Sequence, residues 1–211
     1  MRNKKENAKH LPTQTKPRER FVVLVSGASG SGKSTLTKKL ADALKAPIVH
    51  QDNFFKGGSA KNVPYSILYK KAVDDRVERP DFIEFNGIIE KLKTFTRTPD
   101  HTLPTVFVEG HSLLSNDDLV SMADLILYLS CQSIDTALKR REARKQRDAE
   151  TNFYLVRYYR QFVWPAHQKY IIPKLHAIVA RKDPRLHMLR AEDSVDSLVD
   201  NSLAIISESR K

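Results

Sequence analysis

The chain has 211 residues and a net charge of +11, from 36 Lys and Arg against 25 Asp and Glu. That length suffices for one domain with a proper core, and the charge favours anionic ligands, either nucleotides or nucleic acid, without bearing on the fold. No run of 18 apolar residues occurs and the N-terminus is charged, so neither a membrane span nor an export signal is visible. The single cysteine, Cys131, excludes an internal disulfide and fits a reducing, cytoplasmic compartment.

Residues 1–20 carry seven Lys or Arg against Glu6 and Glu19, with two prolines and almost nothing apolar. This reads as a solvated basic tail, with a nuclear-localisation or RNA-binding arm as the rival reading. Residues 21–211 read as one domain. "FVVLVS" (21–26) is a continuous β-branched run, as expected of a strand buried on both faces of a parallel sheet. Leu36, Leu40 and Leu44 then recur at helical spacing up to Pro47. "PIVH" predicts a short second strand leading into "QDNFFKGG". Residues 62–97 predict one or two helices, interrupted at Arg79-Pro80 because proline disfavours helix in the residue before it. "TVFVEG" (105–110) and "DLILYLS" (124–130) predict two more buried strands. A long helical stretch is expected from about 133 to 175 with a break near Trp164-Pro165, and the chain ends as a strand and a helix. Strands alternating with helices predict an α/β fold with a mostly parallel five-stranded sheet covered on both faces. Ligands then sit beyond the carboxyl ends of the strands, where Gly27, Asp52 and Glu109 fall.

Three of the seven glycines stand in six positions, Gly27, Gly30 and Gly32. The segment Gly27-Ala28-Ser29-Gly30-Ser31-Gly32-Lys33-Ser34 fits G-x-x-x-x-G-K-[ST], the P-loop pattern, and it stands between a buried strand and a helix. Backbone N–H groups of residues 30–34 can converge there on phosphate oxygens, assisted by the positive end of the helix. Lys33 is expected at the β- and γ-phosphates and Ser34 on Mg²⁺, with Ser29, Ser31 and Thr35 completing an ATP cradle. A P-loop gives nucleotide binding without naming the reaction.

Transfer of a phosphoryl group to an alcohol needs a carboxylate near the acceptor hydroxyl and cations around the transferring group. Asp52 follows the second strand and suits the first need, against a plain reading as a turn residue. Glu109, closing the third strand, suits Mg²⁺ or its water. "KRREARKQR" (139–147) packs six cations into nine residues. Arg140, Arg141, Arg144 and Arg147 repel one another unless an anion collects them, which predicts a cationic lid over the phosphates. The rival reading is a solvated basic face or a nucleic-acid patch.

Across residues 21–175 the ordered set "SGASGSGKST", "HQDNFFK", "ERPDFIEF", "FVEGHSLL", "KRREAR", "QRD" and "FVWPAHQKY" resembles the uridine kinase and nicotinamide riboside kinase branch of the P-loop kinases. "FVWPAHQKY" is most similar to the nicotinamide riboside kinases. The resemblance implies an ATP- and Mg²⁺-dependent kinase with Asp52 as base for a 5′-hydroxyl and Glu109 assisting it or the metal. It implies Arg141 at the ribose or transferred phosphate, Arg144 and Arg147 on the lid, and Phe55 with Glu78 or Asp81 at the acceptor. The chain departs from that pattern at Val77, where the family has an aromatic, at Glu78 in place of Asp, and at Gln146, where a second aromatic is expected. The base-reading hairpin of the uridine kinases is absent between Thr98 and Pro104.

The aromatics Phe153, Tyr154, Tyr158, Tyr159, Phe162 and Trp164 are expected in the core or against the lid. The histidines show no metal-ligand spacing, and Cys131, at the end of a buried strand, is expected to be an inert core thiol. The expected acceptor is a small ribonucleoside, nicotinamide riboside ahead of uridine or cytidine, with neither a membrane nor a nucleic-acid partner and the oligomeric state open. The alternatives are a kinase of a sugar, glycerate or pantothenate-like alcohol, and a nucleotide-binding or RNA-associated protein without catalysis.

Overall fold

A computed structural model describes residues 19–56, 64–71, 78–96, 104–144 and 146–211. The basic tail up to residue 18, Val77 and most of the Thr98–Pro104 stretch lie outside the described residues. Five strands form one sheet: β1 (Phe21–Gly27), β2 (Ile48–His50), β3 (Thr105–Gly110), β4 (Leu125–Ser130) and β5 (Leu186–Arg190). They run parallel in the order β2-β3-β1-β4-β5.

Every residue of β1 and β3 is buried. This is the burial that a parallel strand covered by helices on both faces requires, and it explains the unbroken apolar runs. Alternate residues face opposite layers. Val23, Val25, Phe107, Leu125 and Leu127 pack with Leu36 and Leu40 of α1 (Lys33–Leu44) and Leu198 and Ile206 of a C-terminal helix, Val195–Ser209. Val22, Leu24, Val106, Val108 and Ile126 pack on the other side with Ile88, Leu92, Leu119, Leu175 and Ile178.

Between β2 and β3 lie a 3-10 turn (Gln51–Phe54), α2 (Tyr65–Lys71), a second 3-10 turn (Pro80–Phe82) and α3 (Phe85–Lys93). The interruption expected at Arg79-Pro80 is present: Arg79 is extended and Pro80 opens the 3-10 turn. A lone antiparallel bridge, Phe55 to Ile83, ties this turn to the segment after Asp52. A short helix α4 (Asp117–Met122) follows β3, its first turn capped by the Asn116 side chain accepting from Leu119 N–H.

The long helical stretch corrects the expectation of a break near Trp164-Pro165. The break comes earlier, after α5 (Ile134–Ala143), and Asp148 caps the helix that restarts at Ala149 by accepting from Thr151 N–H at 2.7 Å. From there α6 (Ala149–Tyr158), α7 (Trp164–Ala166) and α8 (Ile172–Ala180) are joined by two π-helical turns, Tyr159–Val163 and His167–Ile171. Each π turn stands just ahead of a proline, Pro165 or Pro173. A widened turn relieves the clash between the ring and the carbonyl four residues back, so the helix passes through. The same turns explain a buried stripe at intervals of four, Leu155, Tyr159, Val163, His167, Ile171 and Leu175. An ideal α-helix would let such a stripe drift by about 40° per step, since four residues advance it by about 400°. The last helix, α9, is the C-terminal Val195–Ser209, capped by Ser194.

Candidate active site

The carboxyl ends of β1, β2 and β3 lie together, with Val25 and His50 both in register with Glu109. β1 delivers the glycine loop. Gly27, Gly30 and Gly32 have φ of 147°, 90° and 98°, the left-handed region open to glycine. A Cβ at Gly27 would lie 2.5 Å from the Leu129 carbonyl oxygen, and one at Gly30 would lie 2.2 Å from that of Ala137. The loop is therefore wedged between β4 and α5. Gly32 opens α1, and its carbonyl accepts from Thr35 and Leu36 at 3.0 Å each.

Lys33 is buried, and its ammonium donates to the Ala28 carbonyl at 3.3 Å. Burial pushes its pKa down; Glu109 and Asp52 pull it back up, while Arg144 and Arg141 add to the depression. Glu109 is buried, with Oε1 3.7 Å from His50 Nδ1 and Oε2 without a hydrogen-bond partner among the described residues. Ser31 Oγ and Arg141 Nε are likewise buried and unpartnered there.

The arginines find the oxygens of the loop. Arg141 donates to Ser29 Oγ and, at 3.1 Å, to the Tyr65 hydroxyl. Arg140 donates to the Ser31 carbonyl at 3.2 Å. Arg147 donates to the carbonyls of Arg141 and Glu142 at the end of α5, which suits a cation at a helix C-terminus. Arg144 lines a 450 Å³ cavity with Ser34, Thr35, Lys38, Lys39 and Asp42. Gln146 is exposed.

On the acceptor side, Asp52 stands in the first turn after β2. The two acids expected at the acceptor stand in different surroundings. Glu78 accepts from the Tyr158 hydroxyl at 2.6 Å, and burial pushes its carboxyl above the ordinary range, with Tyr158 and Arg141 opposing and Asp52 reinforcing. Asp81 instead holds Arg79 through two bonds of 3.0 and 2.8 Å on the exposed side. Phe55 stacks on His111, their ring centroids 6.1 Å apart.

Sequence reading did not single out Gln51, His111 or Tyr65. Gln51 is fully buried, accepting from Ser112 N–H at 2.9 Å and reaching His111 Nδ1 at 3.1 Å. Burial lowers the His111 pKa to about 4, with Lys33 and Arg141 acting in the same sense and Asp52 against them. Gly110 was the available signal, since a Cβ there would lie 2.3 Å from Gln51 Oε1. Tyr158 and Tyr159 are buried, as expected of aromatics behind the lid, whereas Phe153 is half-exposed under Arg157. Cys131 is partly exposed and its thiol pKa is raised by burial.

These residues fit a magnesium nucleotide. Mg²⁺ is held by one or two protein oxygens together with phosphates, and Ser34 with the unpartnered Glu109 oxygen supplies such a set. Among the described residues no cluster of three or more His, Cys, Asp or Glu offers an all-protein metal site. A glycine loop curled around a buried lysine at the carboxyl edge of a parallel sheet defines a P-loop NTPase.

No established family model matches the chain. Nicotinamide riboside kinase of Schizosaccharomyces pombe is 28% identical over 181 residues, covering 71% of this chain and 78% of that protein. Uridine-cytidine kinase-like 1 of Mus musculus is 25% identical over 76% of this chain, which spans only 33% of that longer protein. Uridine kinase of Borrelia hermsii is 22% identical, with 72% and 81% covered. Among solved structures, a fructose transport system kinase from Silicibacter sp. TM1040 superposes with a TM-score of 0.51 at 20% identity, over 75% of this chain and 86% of that one, a likeness of fold. These similarities lie with nicotinamide riboside and uridine kinases, and with them the chain is a phosphotransferase with an alcohol group as acceptor. No helix among the described residues is long and apolar enough to cross a membrane.

Proposed function

We propose that the protein transfers the γ-phosphoryl group of ATP, with Mg²⁺, to the 5′-hydroxyl of a small ribonucleoside, nicotinamide riboside before uridine or cytidine. The observation that carries this reading is that Arg141 bonds both Ser29 of the P-loop and the Tyr65 hydroxyl, while the Tyr65 ring packs against Tyr158, which holds Glu78. Asp52 takes the proton of the attacking hydroxyl. Glu78, held by Tyr158, accepts from the ribose hydroxyls and thereby fixes the sugar relative to Asp52. Lys33 and Arg141 hold the charge that builds on the transferring group. Arg144 and Arg147 keep the lid over the phosphates and exclude water. ATP supplies the phosphoryl group, and Mg²⁺, held through Ser34 and Glu109, neutralises its charge. The relatives named for nicotinamide riboside and uridine support a nucleoside acceptor.

The test is incubation with ATP, Mg²⁺ and a panel of nicotinamide riboside, uridine, cytidine, sugars, glycerate and a pantothenate-like alcohol, with ADP and phosphorylated product measured together. Transfer to a ribonucleoside is expected. Transfer confined to the non-nucleoside alcohols moves the acceptor class, and no transfer by folded protein sinks the reading.

A further inference from the structure

We infer that His111 is a further catalytic residue, its Nε2–H donating to an oxygen of the phosphoryl group as that group passes to the acceptor beside Asp52. The inference rests on the kinase reading above and adds a residue that neither the P-loop pattern nor the arginine lid contains.

The proton is placed by a chain of hydrogen bonds. Gln51 Oε1 accepts from the Ser112 backbone N–H at 2.9 Å, so the oxygen and nitrogen of this amide are distinguished. The other end, the NH₂, points at His111 Nδ1 at 3.1 Å. Two donors cannot face each other, so Nδ1 accepts and the ring proton resides on Nε2. The arrangement is built in, because Gly110 leaves the space that Gln51 fills. Phe55 stacks on the ring with an interplanar angle of 21° and fixes its plane.

Nε2–H is then a buried donor with no acceptor among the described residues. A buried donor left unpaired costs free energy, which an oxygen brought by a ligand would recover. The surroundings define that oxygen. His111 follows Gly110, which is in register with Ser26 at the foot of the P-loop, and its partner Gln51 directly precedes Asp52. An N–H donor standing between the foot of the P-loop and the turn that carries Asp52 suits an anionic oxygen between the lysine and the acceptor. That is where the equatorial oxygens of a transferring phosphoryl group lie.

The experiment compares wild type with His111→Phe and His111→Asn. Affinity for ADP with Mg²⁺, alone and with fluoroaluminate as a planar phosphoryl mimic, is measured by calorimetry, and kcat and KM with the best acceptor of the panel. For His111→Phe the expected result is kcat lower by about 10²-fold and a comparable loss of the fluoroaluminate enhancement, as for removal of one donor to a transition-state oxygen. ADP affinity and both KM values should stay within about twofold, and His111→Asn, which keeps an N–H, should recover part of the loss. Unchanged kcat and mimic affinity in His111→Phe overturns the inference while leaving the kinase reading intact. An equal loss of ADP affinity also overturns it, since it marks a structural role. If His111→Phe fails to fold, His111→Asn against His111→Leu carries the same comparison. Wild type that neither transfers phosphate nor tightens with fluoroaluminate removes both readings together.

Discussion

The nucleotide side and the acceptor side of the site are built from different materials. On the proposed nucleotide side the cradle is main chain. Gly27, Gly30 and Gly32 turn the loop, and Lys33 is the long side chain buried with it. On the acceptor side, side chains from distant elements converge: Asp52 after β2, Glu78 ahead of α3, Tyr158 at the end of α6, Arg141 on α5 and His111 after β3. A loop made of backbone demands fixed spacing and fixed glycines. A pocket made of side chains can be rebuilt one residue at a time.

The sharpest way to break that contrast is Asp52→Ala, which should lower kcat by about 10²- to 10⁴-fold while ATP affinity changes little. Loss of ATP affinity in a calorimetric titration would show that Asp52 serves the nucleotide side after all. A second test reaches the helix that supports both halves. His167 is buried against Tyr128, 2.8 Å from its hydroxyl, and burial lowers its pKa from 6.5 to about 3. Between those values the unfolded chain binds a proton that the folded one does not, so stability falls as the pH falls from 6.5 towards 3. By pH 5 the loss is about 2 kcal/mol. Urea unfolding at pH 7 and pH 5 should show a loss smaller by about that amount in His167→Gln than in wild type, the share of His111 remaining in both; equal losses in both would refute the assignment.

Glu78→Ala should raise the acceptor KM roughly tenfold, the worth of a hydrogen bond to a charged group, with the KM for ATP unchanged. Asp81→Ala, which breaks an exposed pair with Arg79, should change stability by less than about 1 kcal/mol and the acceptor KM by less than about twofold. If Asp81→Ala had the larger effect on that KM, the two acids would have to exchange roles.

The same division governs what could be read from the chain. The five strands, their parallel arrangement and the glycine cradle were legible because burial on both faces and positive φ leave marks in consecutive residues. Asp52 and Glu109 were legible as acids closing strands. The different surroundings of Glu78 and Asp81 were not, because they depend on Tyr158, eighty positions away. His111 was not, because only the orientation of the Gln51 amide gives its ring a role. The misplaced helix break has a local cause: Pro165 reads as a terminator unless the turn before it is widened, and the mark of widening is a periodicity of four rather than a particular residue.

That stripe of four has a consequence for how the chain tolerates change. Between Ala149 and Ala180 one uninterrupted helix carries Tyr158 to the acceptor side and Leu175 and Ile178 to the sheet. Inserting or deleting one residue there would rotate everything beyond it by about 100° and misalign one end or the other. In this stretch length is more tightly constrained than composition: side chains of similar volume can be exchanged along it, whereas its residue count cannot drift.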